Sequence, residues 1–347
     1  MRPETEAELA QMIRDARSPL SPVGGGTRLH PGEGGAARLD LRGLSGITLY
    51  EPAALTVVAR VGTPLAELQS ALAAEGQMLA FEPDARDGST IGGVVAANAS
   101  GARRVQSGAC RDALLGVRFV DGQGQIIANG GRVMKNVTGY DLVKLMAGSR
   151  GQLGVLTEVA LKTAPKPPVS VTLAVPGSAT AAVGVLTQAL TGPYDISGAA
   201  WLPGQGALVR VEGLEGSVAI RSKALAEKLG ADPVACDWAT VPRDVSGDLW
   251  RIICRPSEAP RLLAALPEPL ALDWGGGLIW VALPPGRMPD LPAWSGHASR
   301  VSGDAALTLP ALNPVVSRLN ASLRERFDPR GIFASDGTCR QISRLSS

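Results

Sequence analysis

Histidine, cysteine and aromatic residues are all scarce in this chain. Two histidines, His30 and His297, occur in 347 residues and lie far apart. Four cysteines, Cys110, Cys236, Cys254 and Cys339, show no close pairing. A structural zinc site needs such residues at short spacings, and an iron–sulfur cluster needs several thiolates in one motif, so neither is expected and no metal site is assigned. Scattered cysteines read as reduced thiols of a cytosolic protein. A net charge of +2 provides no basic field of the kind that draws nucleic acid. No apolar run reaches the ~18 residues of a membrane span, and the opening MRPETEAELAQ has no apolar signal core. The expected location is the cytoplasm.

Glycine, by contrast, is abundant. The 42 glycines make up about an eighth of the chain, against a usual share of roughly 7%. They follow no fixed period, which excludes collagen-like structure. Of the 42, 24 fall in the first 165 residues, whereas all six tryptophans lie between Trp201 and Trp294. The seam between the two compositions is Thr163-Ala164-Pro165-Lys166-Pro167-Pro168, where proline blocks helix and central strand. The expected division is 1–165, 166–310 and a C-terminal helix and tail, 311–347, returning to the first domain.

Periodicity predicts an α+β fold. In the first part, residues 4–16 form a helix with Leu9, Met12, Ile13 and Ala16 on one stripe. Leu55–Val61 reads as a strand leading into a helix capped by Thr63, with Pro64 at its first position and its end at Gly76. Leu114–Val120 and Gln125–Ala128 form a hairpin, and Gly154–Lys162 a further strand. In the second part, strands at 169–175, 197–202, 207–212, 249–254, 278–282 and 297–302 accompany helices at 179–190 and 217–229, as expected of an antiparallel sheet with helices on one face. A last helix covers 313–327 and stops at Asp328-Pro329.

Three glycine segments stand out. Pro22-Val23-Gly24-Gly25-Gly26-Thr27 follows a short strand, and successive glycines free backbone amides to converge on phosphate oxygens, although a plain surface turn would use the same residues. From Gly88 to Gly101 almost every side chain is small. A core helix would supply larger residues to fill volume, whereas backbone lying against a flat cofactor requires small ones. Ser89 and Thr90 offer hydroxyls to phosphate there, and Asn98 can orient a neighbour. The third segment, Gly148–Gly154, enters a strand. Neither the dinucleotide fingerprint nor the P-loop pattern occurs, so any bound phosphate is held by a different fold.

In order, PVGGGT, the strand–Thr–Pro–helix, the segment Pro83–Gly116 and GSRGQLGVLTEVALK resemble the p-cresol methylhydroxylase-type FAD-binding domain of the vanillyl-alcohol oxidase superfamily, over about residues 18–163. Further on, LWRIICRPS (249–257), DWGGGLIWV (273–281), SGHASRV (295–301) and LRERFDPRGIF (323–333) resemble the FAD-binding subunit of bacterial glycolate oxidase, a glycolate dehydrogenase. The resemblance implies a two-subdomain FAD domain with an α+β cap, and FAD as cofactor. Pro22, Val23, Gly24, Gly25, Gly26 and Thr27 match the pyrophosphate loop. Pro83, Ser89, Thr90, Gly92, Gly93, Asn98 and Gly101 match the second FAD strip, and Gly154 and Val155 the place where backbone contacts the flavin. It also implies partners: a second, catalytic FAD subunit and an iron–sulfur subunit, through which the complex could sit at the inner membrane.

The sequence departs from the family in three places. Covalent relatives carry a flavin-linking histidine directly after the first glycines; Thr27 stands there, so FAD is expected to be non-covalent. The histidine-rich H-G-D-G-N-x-H stretch of the related catalytic subunit is absent. The usual Asn-Pro-Gly turn after the last helix is replaced by Ala334-Ser335-Asp336-Gly337.

Oxidation of a hydroxy acid by a flavin needs a base and a cation for the carboxylate. His297 is the candidate base and Arg251 the candidate carboxylate clamp, with Trp250 beside it as an aromatic wall. The bland alternative makes the tryptophans cap core, Arg251 a surface pair and His297 a backbone-bonded residue. Arg103, Arg104, Arg111 and Lys135 read as solvated surface, with a place beside the FAD phosphates open to one of them. Three functions remain open: a glycolate dehydrogenase subunit oxidising glycolate to glyoxylate within a complex, a stand-alone FAD enzyme for another hydroxy acid or alcohol, and a flavin scaffold or electron relay that never meets substrate.

Overall fold

Val155–Lys162 is buried along most of its length because it is the central strand of a five-stranded antiparallel sheet. It pairs with Thr56–Arg60 on one side and Leu114–Val120 on the other. Ile47–Glu51 and Ile126–Gly130 complete the edges. The computed structural model describes residues 1–29, 36–132, 139–238, 241–242, 245–303 and 314–333. His30, Lys135, Cys339 and residues 334–337 lie outside the described residues.

The described chain divides into two compact units. The first holds Met1–Ser100, Ala109–Lys166 and, at the C-terminus, 314–333. Helices Glu6–Asp15, Leu65–Ala74 and Ile91–Ala96 bury Leu9, Ile13, Leu65, Leu68, Leu72, Val94 and Val95 in one core with Phe81 and Phe119. The second of these helices begins differently from the sequence reading. Pro64 is its cap residue, because the Thr63 hydroxyl donates to Arg60 O at 2.7 Å and accepts from Gly46 N at 2.9 Å.

Leu20–Val23 pairs in parallel with Ala37–Asp40 and delivers the first glycine segment. The C-terminal helix Pro314–Phe327 ends at Asp328, whose two carboxylate oxygens accept from Ile332 N and Phe333 N, both at 2.8 Å. This turn holds Ile332 so that its carbonyl accepts from Leu20 N at 2.7 Å. The strand that carries the glycine loop is therefore fixed from both sides.

The second unit holds Gly101–Gly108 and, within 167–303, the rest of the described chain. Its eight strands run, from edge to edge, Asp232–Val234, Val169–Val175, Gly206–Gly213, Ile196–Leu202, Ala271–Asp273, Leu278–Leu283, Asp248–Ile253 and His297–Ser302, each pair antiparallel. Helices Ala179–Leu190 and Glu215–Leu229 share one core with Trp201, Trp250 and Trp294. A smaller cluster of Leu249, Ala271, Leu278 and Trp280 forms separately, packed by Trp274. Among the described residues no helix is long and apolar enough to cross a membrane.

Candidate functional site

A cleft opens in the first unit where the three glycine segments meet. Pro22, Val23, Gly24, Gly25, Gly26 and Thr27 line it, together with Thr90, Gly92, Gly93, Gly154 and Val155. Tight packing dictates several of these glycines. A Cβ on Gly24 would land on Thr90 Oγ1, one on Gly25 on the Gly88 carbonyl, and one on Gly92 at 2.5 Å from Val61 Cβ. Gly26 has φ +75°, which favours glycine on its own account.

Gly93 differs. A Cβ there would meet only Thr90 Oγ1, at 3.5 Å, an ordinary contact. Protein packing does not demand glycine at this position; what a side chain there would occupy is the cleft.

The amides sort the loop from the helix beside it. At the start of Ile91–Ala96, Ile91 N donates to Thr63 O at 3.0 Å, Gly92 N to Val61 O at 2.9 Å and Gly93 N to Thr90 Oγ1 at 3.3 Å. That helix start is satisfied internally. In the loop, no described group accepts from the amides of Gly25, Gly26 or Thr27. Consecutive unsatisfied amides in a turn form an anion-binding nest. The residues present therefore fit a diphosphate at the loop and a flat group against the small residues of the helix.

The other expected cofactor residues have different places. Pro83 and Ser89 are buried and are not part of the cleft lining. Ser89 Oγ lies 3.1 Å from Thr27 Oγ1 and accepts from Arg28 Nη1 at 2.7 Å, so it braces the loop. Asn98, at φ +47°, accepts from Arg111 N at 3.0 Å and holds the turn after the helix. Arg150 N donates to Ala96 O at 3.0 Å and so docks the third segment on the helix end. Gly101 belongs to the second unit.

Arg28 and Arg150 line the cleft and were not singled out in the sequence. Arg28 directly follows the glycine loop, and that adjacency was the available signal. Burial, and then the Arg86 guanidinium, push the Arg28 side chain down to about 10. Cys110 is inert, its thiol pushed up to about 12 by burial.

In the second unit, Arg251 and Trp250 point to opposite faces, as successive strand residues must. Trp250 is fully buried in the large core, so it is not the aromatic wall expected beside Arg251. That role falls to Trp274, over whose ring Arg251 lies at 5.2 Å and Arg104 at 4.4 Å. The second correction is Arg103, expected as solvated surface. It is 7% exposed and pairs with Glu212 Oε2 at 2.7 Å. His297 pairs with Ile253 in the sheet, across from Arg251's own strand. Burial first, then Arg251 and Arg104, push its imidazole down to about 4. At neutral pH it is an uncharged acceptor beside two guanidinium groups. Among the described residues no three His, Cys, Asp or Glu are grouped to hold a metal ion.

Comparison with known proteins agrees with the chemistry of the cleft. Residues 1–129 match the family model described as FAD binding domain. The chain is 39% identical over 306 residues to glycolate oxidase subunit GlcE of Escherichia coli (strain K12), covering 85% of this chain and 85% of that protein. It is 33% identical over 178 residues to glycolate oxidase subunit GlcD of Bacillus subtilis (strain 168), covering 49% of this chain and 38% of that one. It is 34% identical over 177 residues to a D-lactate dehydrogenase of Anaerostipes hadrus, and spans 37% of its length. The fold is shared with alkyldihydroxyacetonephosphate synthase, at TM-score 0.54 and 19% identity, over 67% of this chain and 52% of that one.

Proposed function

The chain belongs to the family of glycolate oxidase subunit GlcE, FAD-binding members of an oxidoreductase superfamily, and from that membership we propose that it is the FAD-carrying subunit of a glycolate dehydrogenase complex. In this reading it takes part in oxidising glycolate to glyoxylate, beside a second FAD-containing catalytic subunit and an iron–sulfur subunit. Electrons leave by way of the flavin towards a membrane acceptor. The observation that carries the reading is the small-residue cleft, with the loop amides of Gly25, Gly26 and Thr27, which have no acceptor among the described residues, at one end and Gly93 open to it.

FAD, when bound, supplies a two-electron acceptor for the hydride from the substrate carbon. The remaining work falls to the chain. The Gly25–Thr27 amides hold the diphosphate, and Gly92, Gly93, Gly154 and Val155 leave room for the rest of the cofactor. On the cap unit, Arg251 and Arg104 on Trp274 offer planar donors that suit a carboxylate. His297 is held uncharged and so is able to accept the hydroxyl proton. A carboxylate neutralising the two arginines would remove their share of the downward push on its imidazole, while the larger share, from burial, would remain.

The test is anaerobic mixing of the purified chain with glycolate, alone and with its partner subunits. Flavin bleaching only in the assembled complex fits the proposal. Bleaching of the isolated chain by a different hydroxy acid, and not by glycolate, would favour a stand-alone enzyme.

A further inference from the structure

Arg28 is the charged side chain nearest in sequence to the loop amides that lack a described acceptor, and it is a half-buried guanidinium with a distinctive set of partners. Nη1 donates to Thr27 Oγ1 at 3.1 Å and to Ser89 Oγ at 2.7 Å, and Nη2 donates to the Asp84 carbonyl. All three acceptors are neutral. The neighbouring carboxylate, Asp84, is taken by Arg86 Nε at 2.6 Å, and Arg86 Nη1 in turn donates to Thr27 O at 2.9 Å. The Asp84 carboxylate thus bonds Arg86 and its backbone carbonyl bonds Arg28, and both guanidinium groups brace the same loop. A guanidinium has five N–H donors. The three bonds of Arg28 leave its Nε–H and one Nη2–H without a described acceptor, on a side chain that lines the cleft. A half-buried cation whose described acceptors are all neutral gains from an anion that completes it.

We infer that Arg28 is a cofactor-binding residue: its guanidinium completes the Gly25–Thr27 amide nest around the diphosphate and so selects a dinucleotide flavin over one without phosphate. The inference rests on the assignment of FAD to this cleft and goes beyond it by naming a charged determinant. Glycines and hydroxyls supply no positive charge; of the two arginines that line the cleft, Arg28 is the one whose guanidinium bonds within the loop itself, at Thr27 and Ser89, and so is placed to distinguish a diphosphate from a neutral linker of similar length.

The experiment titrates the full-length chain, stripped of flavin, with FAD and with riboflavin, and reads binding by quenching of flavin fluorescence. The wild-type chain binds FAD far more tightly than riboflavin. Arg28→Met weakens FAD by at least about tenfold, the loss expected for hydrogen bonds to a charged group, and leaves riboflavin within about twofold. If Arg28→Met does not fold, Arg28→Lys is read the same way, with selective weakening of FAD as the supporting result. Equal weakening of both flavins, or no weakening, would overturn the inference and leave Arg28 a brace of the loop. A wild-type chain that binds neither flavin would overturn the underlying cofactor assignment instead.

Discussion

Trp274 carries the guanidinium of Arg104 4.4 Å over its ring and donates its indole N–H to Gly101 O at 3.0 Å. One side chain thus pins two points of Gly101–Gly108, with Arg103 and Glu212 adding a buried ion pair on the same segment. Trp274→Phe keeps the ring and loses the hydrogen bond, at a cost of about 1 kcal/mol. Trp274→Leu loses the cation–π contact as well, about 0.5–2 kcal/mol more. Urea unfolding measures both, and hydrogen exchange within 101–108 should accelerate in the same order.

Gly93 and Gly25 should respond in opposite ways to a side chain. Gly93→Val projects into the cleft where nothing but Thr90 Oγ1 stands near, so the flavin-free chain should keep its thermal midpoint and lose FAD affinity by about tenfold or more. Gly25→Ala places a methyl on the Gly88 carbonyl and should destabilise the flavin-free chain itself, by about 1–3 kcal/mol. Paired melting curves and flavin titrations separate the two.

His297 carries a pH signature. Its folded value of about 4 lies below the ordinary 6.5, so protons favour the unfolded chain. The stability contributed by the neutral imidazole is complete above about pH 6.5 and is lost as pH falls through about 4. His297→Gln should therefore show a shallower fall in melting temperature across that window than the wild type. The same variant should abolish flavin reduction by glycolate if His297 is the base; unchanged reduction would return it to a structural role.

Thr27 lines the cleft and offers a hydroxyl where the sequence resemblance would put a flavin-linking histidine. Acid precipitation of the purified chain should leave the protein colourless and the flavin in the supernatant. Colour that stays with the polypeptide would contradict this.

Much of the fold was readable from runs of apolar and β-branched residues bounded by turn and cap residues. Leu114–Val120, Ala179–Leu190 and His297–Ser302 have the limits their patterns predict. Ile47–Glu51 and Ala271–Asp273 were missed, the first because it is half-exposed on both faces of a sheet edge, the second because three residues carry no period. The glycine loop was legible as a chemical pattern, and the structure brings it together with the second and third glycine segments as one cleft. Arg28 and Arg103 were not legible as functional or buried residues. Their surroundings come from Ser89 and Glu212, 61 and 109 positions away, and local sequence does not register such partners. The Trp250–Arg251 pair misled for a simpler reason: neighbours in a strand cannot share a face.

The most direct test of the account is anaerobic reduction of this chain's flavin by glycolate in the assembled complex, with the chain's FAD replaced by a spectrally distinct analogue. The account predicts that this flavin bleaches as glyoxylate forms. Glyoxylate production while it stays oxidised would contradict a part for this chain in the electron path.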